Sequence, residues 1–364
     1  MPDYDIAAYI WPSYHYGPRM EDVWPEKDGG WYTVRRATPR FPGHDMPKIP
    51  LLGYQDEADP EVMRQHVELA LEHGVNVFIM DWYWYDNTPC FERQLNEGLL
   101  PAIEGTDMRF FLMWANHDAT SLWDMHRDEQ ELRWSGQVDR ATLEPMFDRV
   151  IEKYLGHPNY YRIDGKPVFS IFQYPNLMAG LGGLEQTNDA FGWMRRRCEE
   201  KGLGGLHLQA IGRKGGGGVE AGARLEESQE YATSRALDFD SATCYQFVQQ
   251  ARGEGDYVMW ANEAMSYWPY FEQAYGTFYP HVSIGWDNTH RHPSMDKAVV
   301  NATPDAFEAC LWRARQYVDA HPDQPPLITV NSWNEWTEGS YLLPDLRWGY
   351  RYLRAVRNVF ADLT

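Results

Sequence analysis

Short runs rich in β-branched and aromatic residues alternate with segments of helical periodicity along all 364 residues of this chain. No other feature restricts the fold as much, because a strand followed by a helix returns most simply as a parallel neighbour. Eight candidate strands read as residues 6–11, 75–84, 110–116, 167–173, 206–211, 239–245, 281–286 and 327–333. The helix signals between them are local and chemical. Asp59-Pro60-Glu61 supplies an N-cap, a first-turn proline and a first-turn acid ahead of Met63, Val67, Ala70 and Leu71, and Gly74 ends that segment. Thr303-Pro304-Asp305 opens another helix in the same way, running to about Ala320. Residues 143–155, 184–201 and 350–360 also carry helical spacing.

Eight strand–helix pairs predict a single (β/α)8 barrel spanning residues 1–364. A doubly wound open sheet is the other arrangement this alternation permits. The chain exceeds the roughly 250 residues of a typical barrel. The excess falls after strands, in residues 12–58 (rich in Trp, Pro and Gly), 118–141 and 288–303. Gly215-Gly216-Gly217-Gly218 reads as a mobile loop after the fifth strand, and it lacks the Lys-Ser/Thr of a phosphate loop.

Barrel enzymes build their sites at the C-terminal ends of the strands. Those ends carry Trp11; Asp81, Trp82, Tyr83 and Trp84; Trp114, Asn116 and His117; Gln173; Tyr245; Trp286 and Asp287; and Asn334, Glu335 and Trp336. The strand bodies are apolar, so this polar and aromatic ring stands out. Aromatics make up 15% of the chain, with 16 Trp and 23 Tyr, and flat amphipathic rings stack on the apolar faces of pyranose sugars. The pattern predicts a sugar-lined cup. Asp81 and Asn116 are candidate hydroxyl ligands, with His117, Gln173, Tyr245, Trp286 and Asp287 around them. Arg291 would meet a sugar or an acidic group. The plainer alternative for Asp81 is a buried acid satisfied by backbone donors.

The segment Asn334-Glu335-Trp336-Thr337-Glu338-Gly339 carries the chemistry. Glycoside hydrolysis needs two carboxyl groups beside one bond, held in different protonation states. In a continuing strand Glu335 and Glu338 would face opposite sides. They reach one site only if the strand ends near Trp336 and the chain turns, which Gly339 favours. Asn334 would orient a carboxylate or bind a hydroxyl, and Trp336 would supply an apolar wall.

The formal charge of −20 argues against nucleic acid and anionic membrane as partners. Met1-Pro2-Asp3-Tyr4-Asp5 leads straight into the first strand, without a secretory signal pattern or any apolar run of membrane-spanning length. A cytoplasmic location is the expectation, and removal of a leader would make it periplasmic or secreted. The four cysteines are widely spaced and predicted to be free. No cofactor is expected. His117 and Asp118 lack further partners at metal spacing, so no metal site is expected either. Asp238-Phe239-Asp240 matches the D-x-D of metal-dependent transferases, but it opens a strand, at the wrong end of a barrel.

Residues 326–345, PLITVNSWNEWTEGSYLLPD, resemble the closing motif of the WbsX-like proteins, relatives of the family 99 glycoside hydrolases. Other landmarks of that group resemble this chain in the same order. They are Phe41-Pro42-Gly43-His44, Pro50-Leu51-Leu52-Gly53-Tyr54, Asp59-Pro60-Glu61-Val62-Met63, Trp114-Ala115-Asn116, Asp164-Gly165-Lys166-Pro167-Val168 and Gly285-Trp286-Asp287-Asn288-Thr289. The resemblance implies a (β/α)8 barrel that cleaves an α-linked glycan with retention, mannose- or rhamnose-containing chains being candidates. It implies Glu335 as the base on a sugar 2-hydroxyl, giving a 1,2-anhydro intermediate, and Glu338 as general acid and then base. Where the 2-hydroxyl lacks that geometry, Glu335 would be a direct nucleophile. The pattern breaks at Leu343, where the family usually has Glu before Pro-Asp. Two other readings remain: a glycosyltransferase of surface polysaccharide synthesis, and a carbohydrate-binding barrel without catalysis.

Overall fold

The computed structural model describes residues 4–127, 131–214, 228–292 and 294–361. Eight parallel strands form its centre: β1 Asp5–Ile10, β2 Val77–Tyr85, β3 Arg109–Trp114, β4 Lys166–Ile171, β5 His207–Ile211, β6 Ser241–Thr243, β7 His281–Ser283 and β8 Leu327–Asn331. From β1 to β6 each strand pairs in parallel with the next in the chain, and β8 pairs with both β7 and β1. The remaining gap, between β6 and β7, is bridged just before β7. The Ala242 N–H donates to the Thr277 carbonyl at 2.9 Å, and the Tyr279 N–H donates to the Ala242 carbonyl at 2.8 Å. A doubly wound sheet would leave two open edges; here the strands run around a (β/α)8 barrel.

Burial explains why these runs become strands. All nine residues of β2 are buried, and so are the last five of β1, β3 and β4. Strands covered on both faces, by barrel interior and by helices, read as nearly continuous apolar runs. The expected caps are present. Asp59 accepts from the Glu61 N–H ahead of helix Pro60–Glu72, and Thr303 accepts from the Ala306 N–H ahead of helix Pro304–Asp319. The helix expected to begin at residue 143 starts at Arg140, because the Asp139 side chain accepts from the Thr142 N–H. The sixth, seventh and eighth strands end before their expected limits, at Thr243, Ser283 and Asn331, and those ends release the chain into the loops of the site.

The Asp238–Asp240 pair lies at the opposite end of the barrel, where Arg195 bonds Asp238 at 2.6 Å and Asp240 at 2.9 Å. It is an ion cluster. The four cysteines are free and buried. Among the described residues no helix is long and apolar enough to cross a membrane. Gly215–Gly218 lie outside the described residues.

Candidate active site

Beyond β8 the chain makes a small hairpin. Asn334–Glu335 pairs antiparallel with Ser340–Tyr341, and Trp336–Glu338 forms the turn between them. Ser332 locks it, its hydroxyl accepting from the Glu335 N–H and donating to the Ser340 carbonyl, each at 2.7 Å. Gly339 closes the turn at φ 63°, where a Cβ would lie 2.8 Å from the Asp287 Cβ. Both the conformation and the space require glycine. The turn brings Glu335 and Glu338, three residues apart, to one side.

They share a cavity of about 380 Å³ with Trp11, Asp81, Tyr83, Met113, Ala115, His117, Asp118, Trp123, Phe172, Gln173, Tyr245 and Arg291. Arg291 is its electrostatic centre. One terminal nitrogen, Nη2, bonds Glu335 Oε1, and the other, Nη1, bonds Glu338 Oε1, each at 2.8 Å. The guanidinium lies over the Trp11 ring, 4.9 Å from its centroid. The Thr337 hydroxyl donates a second bond to Glu335 Oε1, at 2.6 Å. Glu338 Oε2 is buried and has no hydrogen-bond partner among the described residues.

Burial pushes both carboxyls up, Glu335 to about 8, while Arg291 pulls both down. Two enclosed carboxyls on one guanidinium therefore share a proton near neutral pH. Burial alone would leave it on Glu335, the deeper of the two. The two hydrogen bonds donated to Glu335 Oε1 oppose that, because they favour its anion. Glu338, with one oxygen unengaged, is the better proton carrier. The cup thus sets a carboxyl that receives two hydrogen bonds beside one with an unengaged oxygen.

The other walls are polar and enclosed. Tyr245 donates to Asp81 Oδ2 at 2.8 Å, and Asp81 Oδ1 has no partner among the described residues. Burial, reinforced by the charges of Glu335 and Glu338, holds the Asp81 carboxyl well above the usual range. Burial likewise holds His117 down at about 4, so it is neutral at pH 7. Its Nδ1–H donates to the Asp118 carbonyl at 2.8 Å, which leaves Nε2 as an acceptor.

Trp11, Asp81, His117, Gln173, Tyr245, Arg291, Glu335 and Glu338 are thus gathered as expected. Eight other expected residues, Trp84 among them, stand elsewhere. Trp82 turns outward from β2, donating to Glu92 Oε1 at 2.8 Å and stacking on Trp84. Trp114 is fully buried and outside the cup, between the cup-lining Met113 and Ala115. Asn116 clamps the end of β4, accepting from the Gln173 N–H at 2.7 Å and donating to the Gln173 carbonyl at 2.8 Å. Asn334 clamps the end of β1, accepting from the Trp11 N–H and donating to the Trp11 carbonyl and to Glu57. Trp336 stacks on Tyr341 at 3.8 Å, behind the cup. Leu343 adjoins Trp336 and Glu57 around a small void there, away from the cup.

Trp286 and Asp287 line a neighbouring groove of about 430 Å³ with Phe41, His44 and Trp348. Asp287 Oδ2 bonds His44 Nε2 at 2.6 Å, and Oδ1 accepts from the N–H and hydroxyl of Thr289. Burial pushes this carboxyl up, but the bonds from His44 and Thr289 outweigh it and hold it at about 2.

Tyr83, named in the strand-end ring without a separate role, and Met113, Ala115, Asp118, Trp123 and Phe172, not expected there, also line the cup. Strand parity was the available signal for three of them. Once Asp81 faces inward so does Tyr83, and once His117 does so do Ala115 and Met113. The same rule turns Trp82, Trp114 and Asn116 away. Among the described residues, no three His, Cys, Asp or Glu side chains are grouped to hold a metal ion.

The family model described as Glycosyltransferase WbsX matches residues 6–356. A protein of Xanthomonas campestris pv. campestris, called Uncharacterized protein WxcX, is 28% identical over 362 residues, covering 97% of this chain and 49% of its own length. The chain therefore spans about half the length of the curated relatives it matches. Among solved structures, the GH99 endo-alpha-mannosidase of Bacteroides thetaiotaomicron superposes with a TM-score of 0.62 at 16% identity, covering 98% of this chain and 96% of the other. A structure described as a glycoside hydrolase-like protein gives 0.62 at 14% identity, covering 99% and 94%. At these identities the structures share the fold.

Proposed function

This chain belongs to the WbsX family, and on that premise we propose that it is a retaining glycoside hydrolase acting on an α-linked glycan. One observation carries the reading: two enclosed glutamates on a single arginine, one supported as an anion and the other with a free oxygen. A nucleotide-sugar transferase would need a diphosphate site at the reacting sugar, and within the cup the lining arginine is already occupied by two carboxylates. The fold shared with an endo-alpha-mannosidase points to mannose-containing chains, with rhamnose-containing ones as close chemical kin.

In the proposed reaction Glu335 accepts the proton of the sugar 2-hydroxyl while O2 attacks C1. Glu338 gives its proton to the departing glycosidic oxygen, and the C1–oxygen bond breaks. A 1,2-anhydro sugar remains. Glu338, now anionic, takes a proton from water as the water oxygen adds to C1. The C1–O2 bond opens, and O2 recovers its proton from Glu335. Two inversions at C1 give retention. Arg291 holds both carboxyls in place throughout, and neutral His117 and Asp81 accept or donate hydrogen bonds to hydroxyls.

The test is a panel of α-linked mannose- and rhamnose-containing glycans, read by reducing ends released and by the anomer first formed in NMR. Cleavage with the α-anomer appearing first supports the reading. Turnover only with a nucleotide sugar and Mg²⁺ or Mn²⁺ would make the protein a transferase. Binding without cleavage of any glycan would make it a carbohydrate-binding barrel.

A further inference from the structure

A second cavity, of about 880 Å³, opens on the same barrel face beside the cup. Tyr174 and Met178 of helix Tyr174–Leu181 form one side, Arg213 and Lys214 after β5 another, and Val248 after β6 a third. The two cavities share a wall. Phe172 and Gln173 face the cup, whereas Tyr174, the next residue, faces the second cavity. The Arg213 guanidinium lies against that wall, 4.0 Å from the centroid of the Phe172 ring.

Their charge balance differs. Asp81, Glu335 and Glu338 line the cup, and its Arg291 is taken up by both glutamates. In the second cavity neither Arg213 nor Lys214 forms an ion pair among the described residues. Arg213 Nε and Nη2 are enclosed and have no acceptor among those residues. Among the described residues Glu230 is the one acid in this cavity's wall; burial shifts its carboxyl up, Arg213 pulls it down, and the two form no ion pair. An enclosed guanidinium whose nitrogens lack acceptors is costly, and a bound anion is what would relieve it. The planar fork of arginine suits a carboxylate or a phosphate. A chain of net charge −20 that places in one cavity two cations without an ion pair among the described residues has a place for a negative group.

We propose that this cavity is a subsite for an anionic substituent of the glycan, a uronate or a sugar phosphate, adjoining the neutral sugar held in the cup. The proposal rests on the cup being a glycan site, and it narrows the substrate class from neutral to acidic chains.

The test is calorimetric binding to the full chain, at low salt and again at 0.5 M NaCl. It compares a neutral α-mannose oligosaccharide with the same oligosaccharide carrying a glucuronate and with one carrying a phosphate. Either acidic form should bind at least about tenfold tighter than the neutral one, the scale of one charge-assisted contact. Salt should erase the gain, and so should Arg213→Met, while the neutral oligosaccharide binds both proteins alike. Which acidic form gains more separates carboxylate from phosphate. Lys214→Met, at a partly exposed position, should weaken the gain in part, which guards against misfolding of the Arg213 variant. Equal affinity for neutral and acidic forms, or a gain that survives both substitutions, overturns the proposal. If no oligosaccharide binds, the reading of the cup has failed. Free glucuronate and inorganic phosphate, followed by NMR shifts at Arg213, then decide the cavity alone, and no shift there refutes it.

Discussion

Glu335 and Glu338 after β8 and Asp287 after β7 are neighbouring acids, linked where the Asp287 N–H donates to the Glu338 carbonyl at 2.7 Å. All three are largely enclosed, yet their environments are opposite. Asp287 alone receives His44 and both donors of Thr289, and it is held at about 2. The two glutamates divide one guanidinium and one hydroxyl, and burial wins, with both carboxyls shifted up. Donors per charge, rather than burial, separate an acid that holds structure from an acid that can move a proton.

The largest effect expected from this contrast is on turnover. On the cleavable glycan, Glu335→Gln and Glu338→Gln should each lose activity by about 10²–10⁴-fold, the usual scale of a positioned acid or base. Asp287→Asn should lose less than about tenfold. A deep loss in Asp287→Asn with intact turnover in a glutamate variant would reverse the assignment.

The next effect is on stability, with the opposite ranking. Asp287→Asn should cost about 1–3 kcal/mol, because a satisfied network loses its acceptor. Urea unfolding at pH 7 would show it. Glu335→Gln should cost less, or stabilise, because it removes a charge that burial disfavours.

Stability against pH sharpens the contrast through its sign. The Glu335–Glu338 pair in the folded chain holds its shared proton more tightly than an unfolded Glu, whose value is about 4.3. Its contribution is fully present below that value and is lost as pH rises towards about 8. Asp287 is the reverse. Its contribution is present above the unfolded value of about 3.9 and is lost as pH falls towards about 2. Unfolding midpoints should therefore fall less between pH 5 and 8 in Glu335→Gln, and fall less between pH 4 and 2 in Asp287→Asn. A glutamate variant with the alkaline loss unchanged would count against the shared-proton description.

The smallest effect concerns β2. Tyr83→Phe should change KM by a few-fold, whereas Trp82→Phe should leave KM within about twofold, since only Tyr83 lines the cup. Equal KM shifts would mean that substrate reaches beyond the cup.

The fold was legible because strand and helix signals are local. Asp59-Pro60-Glu61 and Thr303-Pro304-Asp305 announce their own caps, and eight buried runs fix the barrel. The hairpin after β8 was legible for the same reason, since Gly339 marks the turn that brings Glu335 and Glu338 together. Residue type alone placed Trp82, Trp114 and Asn116 in the cup, whereas the structure turns them away from it, because a strand end has two faces and the larger or more polar residue need not be the inner one. Asn334 and Trp336 were drawn in by adjacency to the glutamates, although tertiary clamping and stacking claim both. The contacts that set the chemistry are long-range. Arg291 meets Glu335 across 44 positions, and His44 meets Asp287 across 243, from the long segment after β1. No local pattern carries such pairings, so the charge balance that separates the two acidic centres appears only once the chain is folded.

The most direct test of that balance compares each glutamate variant on a native glycan and on the matching aryl glycoside, whose leaving group needs no proton. If Glu338 is the acid, Glu338→Gln should regain most of its loss in the glycosylation step on the activated substrate, while Glu335→Gln should remain impaired on both. Rescue of Glu335→Gln instead, or full activity in either variant on the native glycan, would contradict the division of roles on which the account rests.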